Sequence, residues 1–264
     1  MKFLYPSLLK LILCITIPIT YAVAEEKSSF PGGSYTDPAT GMEFVFVRGG
    51  CYRMGDTFGD GYQNEKPVHE VCVNDFYVGK FKVTQGQWKA VQGNSPSNFS
   101  NCGDNCPVEQ VSWDDAQNFV RRINQLTGRT YRLLTEAEWE FAARSGGKNE
   151  KYAGTSSDLE LGKYAWYSGN SGKQTHPVGQ KRPNGLGLYD MSGNVWEWVQ
   201  DIYSDSAYAS HNRNNPLYTG NGDHRVRRGG SWIRDSGSVR AANRDDGPPD
   251  YRSSGVGFRL AMTP

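Results

Sequence analysis

The stretch "LYDMSGNVWEW" (residues 188–198) places two carboxylates on either side of a tight turn. Asp190 and Glu197 offer hard oxygen ligands, and the turn between them can direct backbone carbonyls toward the same point. Calcium prefers such irregular shells of oxygen atoms. The alternative is a turn in which Asn194 bonds its own backbone while the flanking tryptophans pack. We favour a calcium site with a structural rather than a catalytic role.

Residues that could carry acid–base or nucleophilic catalysis have no recognisable spacing. The histidines stand far apart, and no Ser-His-Asp arrangement or close pair of carboxylates is evident. A lone histidine is more often a surface or packing residue than a metal ligand. The histidines are His69, His176, His211 and His224.

The N-terminus has the order of a secretory signal. One lysine is followed by an apolar run and then by Ala22 and Ala24, so we predict a signal peptide over residues 1–24. An N-terminal membrane anchor is the alternative, but Pro18 and Thr20 interrupt the apolar run. We therefore expect a secreted or periplasmic protein that does not insert into the membrane after cleavage.

Four cysteines follow the predicted cleavage site, an even number that predicts disulfides in an exported chain. Cys51 and Cys72 lie in strand-like runs that could pair, and Cys102 and Cys106 would close a small loop. A zinc site is the alternative, but no histidine lies near the second pair. We predict the disulfides Cys51–Cys72 and Cys102–Cys106.

Few regular elements are predicted to position these groups. Residues 42–55 and 66–84 alternate apolar and polar residues, as strands do. Ser112 and Thr135 each begin a helix with a capping box, and we expect the second helix to end at Gly146. The first helix is expected to bury one apolar face, formed by Trp113, Ala116, Phe119, Val120, Ile123 and Leu126.

The remaining composition indicates one loop-rich α+β domain over residues 41–264, preceded by a flexible segment over residues 25–40. The chain holds 31 glycines, and turn residues dominate its second half. A formal net charge of +1 gives no reason to expect nucleic acid as a partner. No pattern in the sequence indicates an oligomeric state.

Five ordered segments of the chain resemble the formylglycine-generating enzyme (sulfatase-modifying factor) family. They are "VGKFKVTQGQW", "CPVEQVSWDDAQNFVRRIN", "YRLLTEAEWEFAAR", "PNGLGLYDMSGNVWEW" and "RVRRGGSW…GFRL". The match runs from about Met42 to the C-terminus. The resemblance implies a variant of the C-type-lectin fold that has little regular secondary structure and is often stabilised by calcium.

Formylglycine-generating enzymes oxidise a cysteine of a sulfatase with two copper-binding cysteines. Counted from Trp232, the family's cysteine positions hold Arg234 and Val239 here, and neither side chain can bind copper(I), which prefers thiolates. Iron-dependent relatives carry a histidine-rich motif on a separate helical domain, which this sequence lacks. The resemblance therefore implies a member without formylglycine-generating activity and without copper or iron.

The resemblance also assigns a calcium shell to the stretch 188–198, with two side-chain and two carbonyl ligands. A second family site would fall near residues 163–172, where Tyr164 replaces a common asparagine and only Asn170 remains as a side-chain ligand. The first site is the one we expect. Its ligands would be the side chains of Asp190 and Glu197 and the carbonyls of Gly193 and Val195.

In the family fold, the stretch from Arg228 to Leu260 lines an exposed groove, and here it contains no Lys, Glu, Gln or Met. In one branch of lectin-fold proteins, retroelements diversify this segment at asparagine codons and so exclude those four residue types. The alternative is that the bias reflects turn chemistry alone. The candidate variable positions are Ile233, Arg234, Asp235, Ser238, Asp245, Asp246, Gly247, Pro248, Tyr251, Ser253, Ser254 and Gly255.

We expect these positions to be exposed above a buried scaffold that includes Trp232, Arg240, Asn243 and Phe258. Short polar residues, arginines and an aromatic on a rigid scaffold resemble an antibody paratope. The sequence thus predicts an exported module that binds a protein or a small-molecule ligand at its C-terminal surface. The alternative is an oxidoreductase or accessory factor that modifies exported proteins or peptides.

Overall fold

The computed structural model describes Met1 and residues 33–264, so the predicted signal peptide lies, apart from Met1, outside the described residues. The described part contains eleven strands, four α-helices and short 3-10 turns joined by long loops. The strands are β1 Tyr35–Thr36, β2 Glu43–Val47, β3 Gly50–Met54, β4 His69–Val73, β5 Phe76–Gly79, β6 Tyr131–Leu133, β7 Trp196–Ile202, β8 Arg225–Arg228, β9 Arg244–Gly247, β10 Val256–Phe258 and β11 Leu260–Met262. The helices are α1 Gln85–Gln92, α2 Trp113–Thr127, α3 Glu136–Ala143 and α4 Ala207–Ser210.

Three sheets organise the described part. A five-stranded antiparallel sheet has the order β1-β2-β5-β11-β6, and a four-stranded sheet has the order β10-β7-β8-β9 with only the β10–β7 pair parallel. β3 and β4 form a separate hairpin. The last strand, β11, lies inside the first sheet, between β5 and β6. This mixture of short strands and few helices confirms the predicted loop-rich α+β class.

The boundary of the domain lies earlier than the sequence indicated. Tyr35 and Thr36 pair with Phe44 and Glu43, and the buried Asp37 accepts hydrogen bonds from the turn that follows. The predicted flexible segment over residues 25–40 is therefore wrong for residues 35–40, which belong to the folded domain.

Helix α2 shows how the sequence sets its own boundaries. The Ser112 hydroxyl accepts a hydrogen bond from the backbone N–H of Asp115, whose carboxylate accepts in turn from the N–H of Ser112. Gly128 ends the helix in the left-handed conformation, with φ of 69°. The predicted apolar face is buried except at its ends: Trp113 is half-buried, and Leu126 is 57% exposed. The prediction for Leu126 was wrong because the helix end projects past the core.

Helix α3 begins at the predicted cap, Thr135, but ends at Ala143, before the predicted stop at Gly146. All of its residues except Glu138 are buried. Two of these buried residues, Glu136 and Glu140, are carboxylates, and they anchor the C-terminal segment of the chain. No helix in the described part is long and apolar enough to cross a membrane.

Both predicted disulfides, Cys51–Cys72 and Cys102–Cys106, are confirmed. The first joins directly opposite residues of the β3–β4 hairpin, and the second closes a short loop before α2.

We expect loss of the longer bridge to cost more stability than loss of the shorter one. The bridges join residues separated by 21 and 4 positions, and a longer closed loop removes more entropy from the unfolded chain. The double variant Cys51→Ala/Cys72→Ala should lose about 3 kcal/mol of unfolding free energy, and Cys102→Ala/Cys106→Ala about 2 kcal/mol. Urea denaturation of both variants measures this. A larger loss for the second variant would show that the loop-entropy argument does not apply here.

Candidate functional site

The C-terminal segment, which we define as residues 228–260, runs from the end of β8 through β9 and β10 to β11. It contains six arginines, and four of them are buried. The arginine-rich composition therefore belongs mainly to the interior. The buried arginines are Arg228, Arg240, Arg244 and Arg259.

Two of these arginines are held by the carboxylates of α3. Arg228 is fully buried, donates to the carboxylate of Glu140 and donates to the carbonyls of Ala241 and Ala242 at 2.9 and 2.7 Å. Arg244 forms a bidentate pair with Glu136 at 2.6 and 2.9 Å. The charge-assisted bonds fix both ends of the stretch 228–244 to one helix.

A second pair of carboxylates holds the other two arginines. Arg240 donates both terminal nitrogens to Glu65 at 2.8 Å, and Asn243 donates to the same carboxylate at 3.3 Å. Arg259 donates to Glu197 and to the carbonyl of Gly79. Every buried arginine of the segment thus has a buried carboxylate partner.

The carboxylate of Asp201 lies beside this network and should titrate near neutrality. Burial, together with the negative charge of Glu136, raises the pKa of Asp201 to about 7. In the unfolded chain the pKa returns to about 3.9. Between about pH 4 and 7 the folded protein therefore holds a proton that the unfolded chain has lost. The stability from this group is fully present below about pH 4 and is lost as the pH rises through 7.

We expect the variant Asp201→Asn to gain stability relative to the wild type as the pH rises from 4.5 to 7. Its side chain has no proton to lose, so the gain is up to about 1.4 kcal/mol per pH unit. Burial lowers the pKa of His211 to about 4, which acts in the opposite sense in both proteins and cancels in the comparison. Urea denaturation at both pH values is the measurement. A difference that does not change with pH would contradict the raised pKa.

Aromatic side chains complete the scaffold. Phe258 is fully buried, and Trp232 is 9% exposed. The Trp232 indole donates to the carbonyl of Ser254 at 3.0 Å and packs edge-on against Phe99 at 5.4 Å between ring centroids. Trp232 therefore joins the turn that follows it to the loop before β10.

The twelve candidate variable positions divide as expected, with two exceptions. Ten have exposed or partly exposed side chains, and the most exposed hydrophobic ones are Ile233 at 59% and Tyr251 at 40%. Gly247 and Gly255 are buried, which contradicts the expectation for these two. A Cβ at Gly247 would lie 3.2 Å from Trp198, and one at Gly255 would lie 3.1 Å from Ser231, so both positions have a packing role. The ten are Ile233, Arg234, Asp235, Ser238, Asp245, Asp246, Pro248, Tyr251, Ser253 and Ser254.

Contacts with scaffold residues hold four of these ten positions. Trp232 links its own turn to Ser254. The Arg227 guanidinium lies over the Tyr251 ring at 4.9 Å and pairs with Asp245 at 3.1 Å. The next residue, Asp246, contacts His224 at 2.5 Å. We call the ten positions the display surface.

The two positions that the resemblance assigned to copper-binding cysteines lie in different environments. Arg234 is exposed and donates no side-chain hydrogen bond to any residue that the structure describes, whereas Val239 is fully buried in a small apolar cluster. All four cysteines after residue 24 form disulfides.

A cleft of about 450 Å³ borders the display surface. The Arg252–Asp115 ion pair forms one wall, with bonds of 2.8 and 3.0 Å. The rest of the lining is rich in side-chain amides, which can both donate and accept hydrogen bonds. Sequence patterns gave no signal for this cleft because its walls come from three separate stretches. The remaining lining residues are Trp88, Asn94, Pro96, Asn98 and Gln110.

The two carboxylates predicted to bind calcium differ in their protein partners. Glu197 accepts hydrogen bonds from Lys82 at 2.5 Å, from Trp139 at 2.8 Å and from Arg259 at 3.0 Å. Burial opposes ionisation of Glu197, but the positive charges of Arg259 and Lys82 lower its pKa to about 2. Asp190 accepts from the N–H of Gly179, and its other oxygen is buried without a hydrogen-bond partner among the residues that the structure describes. Glu197 is therefore already bound by an ammonium and a guanidinium group of the protein.

Lys82 was missed by the sequence reasoning, which had assigned it only to a strand-like run. Its side chain is fully buried, and a lysine is rarely buried unless it is paired, as Lys82 is with Glu197. At the second calcium site that the resemblance implied, near residues 163–172, the side chains also bond to the protein itself. The Asn170 amide donates to the carbonyls of Ala165 and Gly162, and the Lys181 ammonium donates to the carbonyl of Gly162.

Comparisons with a family model and with individual proteins assign the chain to the same family. A family model described as the sulfatase-modifying factor enzyme 1-like domain matches residues 33–264. The chain is 31% identical to chaperone protein LppX of Paenibacillus barcinonensis, over 72% of this chain and 79% of that protein. It is 30% identical to the formylglycine-generating enzyme of Streptomyces coelicolor, over 94% of this chain and 96% of the enzyme.

Solved structures agree with this assignment. The fold is similar to Treponema denticola variable protein 1, with a TM-score of 0.75 and 30% identity over 88% of this chain and 98% of that one. It is also similar to PvdO from Pseudomonas aeruginosa, with a TM-score of 0.74 and 27% identity over 89% of this chain and 99% of that one.

Proposed function

The chain belongs to the sulfatase-modifying factor family, and we propose that it is an exported binding protein of that family without formylglycine-generating activity. The display surface binds a protein or a small-molecule ligand. The observation that carries this proposal is the separation of buried from exposed side chains within residues 228–260. Buried arginines and aromatics hold the backbone, while ten side chains of the candidate variable positions are exposed or partly exposed.

The rigidity of the scaffold supports binding. Loops that are fixed by buried ion pairs lose little conformational entropy when a ligand binds, so more of the contact energy remains as affinity. The display surface offers Tyr251 and Ile233 as apolar contacts and Arg234 as a cationic one. The short side chains of its serines and aspartates can form hydrogen bonds with differently shaped ligands, as in an antibody paratope.

Export is supported by the signal-like N-terminus and by the two disulfides. Disulfides persist mainly in oxidising compartments such as the bacterial periplasm or the extracellular space. We therefore place the protein in one of these.

Diversification by a retroelement is the more specific form of the proposal. It is supported by the absence of Lys, Glu, Gln and Met from residues 228–260 and by the likeness to Treponema denticola variable protein 1. The genomic sequence tests it. We expect a nearby DNA copy of this segment with AAC or AAT at the variable codons, beside a reverse transcriptase gene. Without that copy, the residue bias reflects turn chemistry alone.

An accessory role on exported proteins is the second candidate, because one relative is named a chaperone protein. In that role the same surface would contact many unfolded substrates instead of one folded ligand. Selective binding to reduced, unfolded client proteins in a pull-down would favour this candidate.

We expect no formylglycine when the protein is incubated with copper and a peptide that carries the target cysteine of a sulfatase. No cysteine follows Cys106, so no free thiol pair is present to bind copper(I). Mass spectrometry should show an unchanged peptide, with a genuine formylglycine-generating enzyme as the positive control. Loss of sulfur from the peptide cysteine would contradict the proposed lack of activity.

Selection from a library tests the binding proposal directly. We would diversify four positions of the display surface and select cell-displayed variants against lysozyme as a defined probe. The control library diversifies four exposed positions of α2. The first set is Ile233, Arg234, Asp246 and Tyr251, and the second is Arg121, Arg122, Gln125 and Leu126.

We expect binders from the first library that keep the melting temperature of the parent, because these side chains have little packing role. The control face should give few binders, since it is the convex surface of a single helix. Equal yields from both libraries, or binders only among destabilised variants, would contradict the proposal.

A further inference from the structure

Lys82 lies in the loop between β5 and α1, and its side chain is fully buried against the stretch 188–198. Its ammonium nitrogen is 2.5 Å from a carboxylate oxygen of Glu197. Asp190 is close enough to attract the same ammonium electrostatically. Of the two carboxylates for which the family resemblance implies a calcium ion, one is therefore paired with a buried lysine, and the other attracts that lysine electrostatically.

The buried charges at this point already balance. Asp190 and Glu197 supply two negative charges, and Lys82 and Arg259 supply two positive charges. A calcium ion would add two positive charges to a neutral group of buried side chains, which is strongly unfavourable without further anionic ligands.

The ligand atoms of Glu197 are also committed. Both oxygens of Glu197 accept hydrogen bonds, from Lys82, Trp139 and Arg259. Calcium needs six to eight oxygen ligands. Binding calcium would therefore require Glu197 to release cationic partners.

We propose that the ammonium group of Lys82 takes the place of calcium in this chain. The lysine holds the turn at residues 190–197 against the loop that precedes α1, so the native fold needs no divalent ion there. The predicted calcium site is thereby replaced by an internal cation, and the protein folds equally well at any calcium concentration.

The wild-type protein gives the first test. We would unfold it, refold it in EDTA or in millimolar calcium chloride, remove unbound metal, and measure metal content and Tm. We expect the same Tm under both conditions and no stoichiometric calcium in the refolded protein. One tightly held calcium per chain, together with a lower Tm in EDTA, would overturn the proposal.

The variant Lys82→Met gives the second test, with Lys80→Met as its control. Lys80 is nearby in sequence, but its ion pair with Glu43 is partly exposed. We expect Lys82→Met to lose about 10 °C in Tm in EDTA, because two buried carboxylates then face one cation. Calcium should restore a large part of that loss, whereas Lys80→Met should stay near the wild-type Tm and ignore calcium.

A folded Lys82→Met variant whose Tm ignores calcium would overturn the proposal, because the lysine would then be an ordinary ion-pair partner. If this variant does not fold in EDTA, refolding in calcium supports the proposal and failure in both conditions contradicts it.

Discussion

Replacing Arg228 with methionine is expected to lower the free energy of unfolding by about 3–5 kcal/mol, because it removes one of the two buried arginines that pair with Glu140 and leaves only Arg144. The Arg228 guanidinium is fully buried between Glu140 and three backbone carbonyls, and it also lies 3.6 Å from Glu136. Methionine fills a similar volume but donates no hydrogen bond. Three carbonyls and one carboxylate oxygen would lose their donor in a region that water does not reach.

The matched control is Arg213→Met. Arg213 also pairs with a glutamate, Glu70, but both side chains are more than half exposed. Exposed pairs of this kind contribute about 0–1 kcal/mol. Denaturation curves of both variants give the comparison, and similar losses at both positions would mean that the buried network does not hold the C-terminal segment.

Replacing Trp232 with alanine is expected to cost about 3–5 kcal/mol, whereas Tyr251→Ala should cost no more than about 1 kcal/mol. Trp232 is almost fully buried, packs against Phe99 and holds the carbonyl of Ser254. Tyr251 is 40% exposed, and its main contact is the Arg227 guanidinium at 4.9 Å.

The ratio between these two losses measures how far scaffold and display surface are separated within residues 228–260. Thermal and chemical denaturation of both variants provide it. If Tyr251→Ala cost as much as Trp232→Ala, the display surface would be part of the core, and its exposed side chains would not be available for a ligand.

Local chemistry was readable from the sequence wherever neighbours in the chain determine the outcome. The helix caps at Ser112 and Thr135 depend on residues three positions away, and the disulfide pairs followed from an even count and short separations. Leu126 was misassigned because helical periodicity does not show where the neighbouring core ends.

Partners that are distant in sequence could not be predicted. Arg240 meets Glu65 across 175 positions, and Lys82 meets Glu197 across 115. An exposed lysine and a buried one look alike in a sequence, so the cation beside Glu197 was visible only in three dimensions. The carboxylates themselves were recognised, but their positive partners decide what they bind.

The most direct test of the proposed function is photo-crosslinking in the producing cells. A photoreactive phenylalanine derivative at position 233 probes the display surface, and the same group at position 126 is the control. Ile233 and Leu126 are equally exposed, at 59% and 57%, but Leu126 lies at the far end of α2, roughly 20 Å along the helix from Trp113.

We expect a discrete adduct from position 233 and none from position 126. Excess purified wild-type protein should suppress the adduct, and the variant Arg234→Asp/Tyr251→Asp should suppress it much less. Equal adducts from both positions, no adduct from position 233, or equal competition by the variant would contradict the account of residues 228–260 as a ligand-binding surface.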